Sequence, residues 1–254
     1  VIWLLAAAVS VAVTLLAFCP AAWIGQVLES KSKGRLTLGD AQGTLWRGSA
    51  FVGGAPSGRD PVTPLLPGRF SWHLSPMVLL GQVNMTLENA EVLAQPVLLT
   101  GSWRQWQVSP SAMVLPATRL AGLGAPLNTI GPSGQMRLSW STLQLAQQAG
   151  QVDLIGNVTL ELNNMASLLS SIKPLGAYRL TMDWQGQRAK LGLTSVRGPL
   201  LLSGAGQFDH GHFQFSGKAQ AAAGQEETLA NLLDLLGQRR KEGEKNIIAL
   251  EFKQ

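Results

Sequence analysis

The sequence predicts an all-β extramembrane region of elongated antiparallel sheet, arranged as two related halves, with one N-terminal transmembrane helix and one short C-terminal amphipathic helix. Three observations predict it. Residues 1–28 contain no Asp, Glu, Lys, Arg or His, and about 20 apolar residues suffice to carry a helix across a hydrocarbon core of roughly 30 Å. From Arg35 onward apolar and polar residues alternate between Gly or Pro breaks, the pattern of an all-β domain. Charged residues make up only 14% of a chain that holds 28 Gly, a balance that suits strands and turns rather than charged surface helices.

In the N-terminal segment, Trp3 and Trp23 stand near the two ends, where indole rings favour the membrane interface. A cleaved signal peptide is the competing reading, but its apolar stretch runs only about 7–15 residues. Cys19 raises the lipoprotein reading; Phe18 before it and Pro20 after it are the wrong neighbours for a peptidase that wants small residues. As the only Cys, it excludes an intrachain disulfide, a thiolate zinc cluster and a C-x-x-C redox pair. Lys31, Lys33 and Arg35 follow the anchor and pull that flank towards the cytoplasm by the positive-inside rule.

The net charge is +5, yet Lys and Arg are scattered singly, and the densest group, Arg239, Arg240 and Lys241, is interrupted by Glu242 and Glu244. Nucleic-acid binding wants a concentrated basic stripe with stacking aromatics, so no nucleic-acid partner is expected. The eight Trp are better used as strand and core residues.

Tyr178, Leu180, Met182 and Trp184 share one strand face and Arg179, Thr181, Asp183 and Gln185 the other, which describes a sheet with one apolar face. The same alternation sets Met136, Leu138 and Trp140 against Arg137 and Ser139, and Val83, Met85 and Leu87 against Asn84, Thr86 and Glu88. Further strands are expected at Gly43–Val52, Arg69–Leu74, Ser102–Val108, Val152–Ile155, Asn157–Leu162, Ala189–Val196, Leu200–Gln207, Gly211–Ala219 and Ile247–Phe252. Asp209-His210-Gly211 reads as a hairpin turn. Two helices are expected besides the anchor: Met165–Ile172, capped by Asn163 or Asn164 and stopped by Pro174, and Glu226–Gln238, with Leu229, Leu232, Leu233 and Leu236 at helical spacing, acids first and bases last. Packing on its own sheet is the commoner use of such a stripe.

The organisation expected is a transmembrane anchor at 1–28, a first β half at 29–115 with a Pro-rich loop at 53–67, a Pro/Gly-rich break at 116–133, and a second β half at 134–254 with a helix at 226–238. The halves echo one another. Arg69-Phe70-Ser71-Trp72 matches Arg137-Leu138-Ser139-Trp140, and Gly81-Gln82-Val83-Asn84-Met85 matches Gly156-Asn157-Val158-Thr159-Leu160 in order and approximate spacing.

Catalytic signatures are absent. The sequence has no G-x-S-x-G elbow and no P-loop, and Gly204-Ala205-Gly206 lacks the third Gly of a dinucleotide site. Asp209, His210 and His212 are the nearest approach to a metal set, but His73 is the only other His and no H-E-x-x-H helix exists; exposed imidazoles on a turn are the commoner explanation. No catalytic residue, cofactor or metal is assigned, and no enzyme is expected.

Ala41-Gln42-Gly43-Thr44-Leu45-Trp46-Arg47-Gly48-Ser49-Ala50, with its G-x-L-W-x-G core, and Leu66-Pro67-Gly68-Arg69-Phe70-Ser71-Trp72, with L-P-G-x-x-x-W, resemble the protein N family of the bacterial type II secretion system. Gly134-Gln135-Met136-Arg137-Leu138-Ser139-Trp140, Tyr178-Arg179-Leu180 and the 200–217 strands extend the resemblance along nearly the whole chain. The Pro-rich insertion at 53–67 and the basic flank after the anchor depart from it. The resemblance implies a single-pass protein of the bacterial inner membrane with its bulk in the periplasm, an accessory scaffold that links inner-membrane platform proteins to the outer-membrane channel. The alternative is a lipid-handling envelope protein of the AsmA type, whose curved sheet shields acyl chains in an apolar groove. A closed core with polar outer faces would favour the scaffold; a groove too wide for its own side chains would favour lipid.

Overall fold

The computed structural model describes residues 2–32, 34, 36–54, 63–123, 127–148, 151–242 and 245–253. Most of the Pro-rich stretch expected at 53–67 and the basic residues Lys33 and Arg35 lie outside them. The chain divides into two compact units, 1–103 and 104–254, and is mostly antiparallel sheet, as the alternation predicts.

The first unit contains α1 (Ile2–Ala17), α2 (Ala22–Lys31), β1 (Leu36–Gly43), β2 (Arg47–Gly54), β3 (Thr63–Pro64), β4 (Phe70–Leu74), a 3-10 turn at Pro76–Leu80, β5 (Gln82–Glu88) and β6 (Val97–Ser102). Neighbours pair antiparallel: β1 with β2, β2 with β3 and β4, β4 with β5, β5 with β6. The core is the face carrying Ala50 and Trp72, closed by Ala21 at the start of α2, with Ile24, Leu38, Ala41, Met85 and Leu87 packed around them.

The second unit contains β7 (Gln105–Val108), β8 (Ser111–Pro116), a 3-10 stretch at Ala117–Leu123, α3 (Leu127–Ile130), β9 (Ser133–Trp140), β10 (Leu143–Gln148), β11 (Gln151–Ala166), β12 (Gly176–Gly186), β13 (Arg188–Arg197), β14 (Leu200–Asp209), β15 (His212–Ala221), α4 (Glu226–Leu236), β16 (Gln238–Glu242) and β17 (Lys245–Lys253). β11 is long enough to pair with β10 and then β9 along one edge. β12, β13, β14 and β15 follow as an antiparallel meander, and β17 lies between β15 and β16.

Register explains the two faces. Met113, Leu138, Leu160, Leu180 and Leu193 stand opposite one another across five strands. One position along, Arg137 faces Glu161, which faces Arg179 at 3.1 Å. Asp183 faces Lys190, and Arg188 reaches Asp209 at 3.1 Å. Opposite charges at opposed positions favour this register over its slipped alternatives.

On the apolar face, Leu229 and Leu232 of α4 are buried against Leu175, Tyr178 and Leu200. Leu229, Leu232 and Leu233 of the leucine stripe thus pack on their own sheet. Further along that face, Phe215 lies over glycines: a Cβ at Gly204 would stand 2.5 Å from its ring, and one at Gly217 would stand 2.9 Å away. Gly204-Ala205-Gly206 is therefore a floor for an aromatic ring. Trp184 and Phe208 add a second aromatic contact, with centroids 5.4 Å apart.

Several sequence expectations need correction. The helix expected at 165–172 is absent: β11 continues to Ala166 and a non-helical turn follows, because Met165 is held in the ladder opposite Gly176. α4 ends at Leu236, before the expected 238, since Gly237 is extended and Arg239 pairs opposite Ile248. The strand expected at 43–52 is two strands flanking a turn, and that expected at 102–108 is interrupted at Trp103 and Arg104. The Pro/Gly-rich segment expected as the break at 116–133 is the β8–β9 connection inside the second unit. The echoed motifs differ in register: Trp72 faces Leu87, whereas Trp140 faces Val158. Both indoles nonetheless donate to a main-chain carbonyl, of Leu45 at 3.1 Å and of Ser109 at 2.9 Å.

Tyr178, the only tyrosine, donates its hydroxyl to the Leu200 carbonyl at 3.1 Å, and burial pushes its phenol well above the ordinary value. The unfolded chain ionises near pH 10, so the stability contributed by neutral Tyr178 is complete below that pH and falls above it. Near-UV phenolate absorbance should stay flat past pH 10 and rise only with unfolding; ionisation near pH 10 in the intact fold would contradict this packing. Leu229→Ala should cost about 2–5 kcal/mol in a denaturant melt.

Candidate functional site

The apolar N-terminal run does not continue to residue 28 as one helix. Proline lacks an N–H and its ring clashes with the carbonyl four residues back, so Pro20 stops α1 near Ala17 and α2 begins separately at Ala22. Among the described residues no helix is long and apolar enough to cross a membrane.

A helix C-terminus leaves carbonyls without intrahelical partners. Here one of them, on Leu16, is taken up by the turn between β1 and β2, which also pairs with the residues that follow the helix. Trp46 donates its indole N–H to the Leu16 carbonyl at 2.9 Å. The Leu45 amide donates to the Cys19 carbonyl at 2.8 Å, and the Ala21 amide donates to the Gly43 carbonyl at 3.1 Å. Residues 19–21 thus cross 43–45 as an antiparallel bridge centred on Pro20 and Thr44. Cys19 and Ala21 are buried beneath it.

Trp72 locks this turn from the sheet side. Its indole N–H reaches the Leu45 carbonyl at 3.1 Å, on the residue whose amide already binds Cys19. Gly48 faces Trp72 across β2 and β4, and a Cβ there would lie 2.5 Å from the indole ring and 2.8 Å from the Gln42 and Thr44 carbonyls. Gly43 has φ +84, a conformation that L side chains rarely adopt. The G-x-L-W-x-G and L-P-G-x-x-x-W segments, distant in sequence, therefore interlock at one point.

The second segment has its own fastening. Gly68 has φ +72, and buried Asn89 donates to the Pro67 carbonyl at 3.0 Å while accepting from the Glu91 amide at 2.9 Å. Arg69 pairs with the Asp40 carboxylate and donates to the Asp40 and Ser49 carbonyls at 2.9 and 3.1 Å. Its guanidinium sits 4.7 Å from the Phe51 ring centroid. Arg69 thereby ties β4 to β1 and β2.

The Asp209, His210 and His212 group is a β14–β15 turn. The hydrogen bond from His210, with help from Arg188, holds the Asp209 carboxyl below its ordinary range, and His212 stands exposed opposite Asp209. Among the described residues no group of three His, Cys, Asp or Glu side chains is placed to hold a metal.

What this architecture does chemically is hold an apolar helix to a sheet. The family model for type II secretion system protein N matches residues 34–247. The chain belongs to this family. No curated protein and no solved structure shows significant similarity to it. Family membership assigns the chain to the type II secretion system and implies interaction with its other components. The matched region contains both interlocking motifs, so the segments that carry the resemblance are those that receive the end of α1. Sequence reasoning picked out Trp46 and Trp72 but missed Cys19 and Leu45 as partners; the readable signal was the pair of glycines, Gly43 and Gly48, around a turn.

Gly48→Ala should displace Trp72 and open the interlock, raising the maleimide labelling rate of buried Cys19 in detergent-solubilised protein. Trp46→Phe should cost about 1 kcal/mol through loss of one hydrogen bond and raise the rate less. Equal rates in wild type and Gly48→Ala would contradict the interlock.

Proposed function

We propose that this chain is an accessory component of the type II secretion apparatus, anchored in the inner membrane by α1 with its two β units in the periplasm, where it acts as a scaffold linking inner-membrane platform proteins to the outer-membrane channel. The observation that carries the reading is the interlock in a chain of this family. A sheet joined to an apolar helix through paired backbone and two indole donors transmits position, whereas a flexible linker would not. α1 supports the anchor role through its described apolar side chains: Ile2, Trp3, Leu4 and Leu15 are 80%, 87%, 77% and 69% exposed. A helix apolar on all sides belongs in a lipid or protein interior. Its 16 residues reach about 24 Å at 1.5 Å per residue, a shortfall that local bilayer thinning accommodates.

The family match gives no support to the AsmA-type lipid-handling alternative. Stacked charges on one sheet face and α4 on the other fit a scaffold surface. In-cell crosslinking of the full-length protein should recover channel or platform components, and a deletion strain should strand exported protein in the periplasm. Recovery of phospholipid alone, with secretion intact, would overturn the proposal.

A further inference from the structure

α2 follows α1 after only four residues, 18–21, which span at most about 14 Å when extended. The backbone bridge at Pro20 and Thr44 holds them in place. One side of α2 packs inward: Ile24 joins the Trp72 cluster, and Gly25 stands close against Leu38, where an added Cβ would be at 3.4 Å. The opposite side presents Trp23 and Val27, four residues apart and therefore adjacent on the helix surface. They are 61% and 59% exposed, and Phe18, in the junction before α2, is 72% exposed. Lys31 closes the last turn, and Lys33 and Arg35 follow in sequence.

We infer that Phe18 and the outer face of α2 form a docking surface for an anionic phospholipid bilayer, so that the first sheet is held against the membrane. The inference rests on the reading of α1 as a membrane anchor. Continuity with α1 selects the occupant: if α1 ends at the bilayer boundary, the short junction puts α2 at headgroup depth, with its uncovered apolar side next to lipid. An amphipathic helix lying in the interface buries its apolar side at the acyl boundary, with basic residues beside anionic headgroups. Trp is the side chain best suited to that depth. Arg47, in the same turn as Trp46, is exposed and adds a positive charge near the junction.

The full chain, reconstituted in phosphatidylcholine–phosphatidylglycerol vesicles, tests it. Val27→Cys and Ser10→Cys, each in a Cys19→Ala background, are labelled with an environment-sensitive nitrobenzoxadiazole dye and quenched by nitroxide lipids at shallow or deep positions. Both sites are exposed, and far-UV circular dichroism checks the fold. The expected result is loss of fluorescence at Ser10 with the deep quencher and at Val27 with the shallow one. Quenching at Ser10 with a Val27 probe that fluoresces as in water would overturn the docking surface and leave the anchor standing. No quenching at either site would overturn both.

Discussion

The Leu45 amide on the Cys19 carbonyl, beside the Trp46 indole on the Leu16 carbonyl, joins the end of the apolar helix to the first sheet. It closes a line that runs from α1 through Cys19 and Leu45 to the Trp72 indole. Each step uses a main-chain group, so the junction is set by backbone geometry more than by side-chain chemistry. The left-handed turn at Gly43 and the room that Gly48 leaves for the Trp72 ring flank the Leu45 that bonds both partners. Pro20 is part of the same device: by ending α1 it leaves the Leu16 carbonyl for the Trp46 indole N–H to donate to, and the Leu45 amide donates to the Cys19 carbonyl just before it.

The second unit follows a different economy. Its strands are ordered by a charge ladder on one face and a row of leucines on the other. α4 closes the apolar face over Tyr178 and Leu200, and Phe215 covers the glycines of β14 and β15. Glycine in a strand interior normally weakens it; here Gly204 and Gly217 let an aromatic ring lie close to the sheet. In both units, then, glycines and aromatic rings serve the packing of the sheet.

Much of this was legible in the sequence because period-two alternation encodes a one-faced sheet directly. Tyr178 to Trp184 announced β12, and the leucine spacing after Glu226 announced α4. The failures share a cause: local signals were outvoted by pairing. Asn163 and Asn164 look like helix caps, yet β11 runs past them through an irregularity in the ladder because Met165 pairs with Gly176 of β12 and Ala166 with Ser133 of β9. Arg239 to Lys241 look like a basic helix end, but a ladder with β17 claims them. The uninterrupted apolar run before Leu28 hid a break at Pro20 because hydropathy counts side chains and is blind to a missing N–H. Gly43 and Gly48 marked the turn, but its partners could not be read, since Cys19 and Leu45 meet only through backbone atoms, which every residue carries.

The apolar helix is fastened to the first sheet by paired backbone. Residue-resolved amide hydrogen exchange on the full-length protein tests it most directly. The Ala21 and Leu45 amides should exchange as slowly as the β2 amides paired with β4. Exchange at both positions at the rate of an open linker, with β2 still protected, would contradict it.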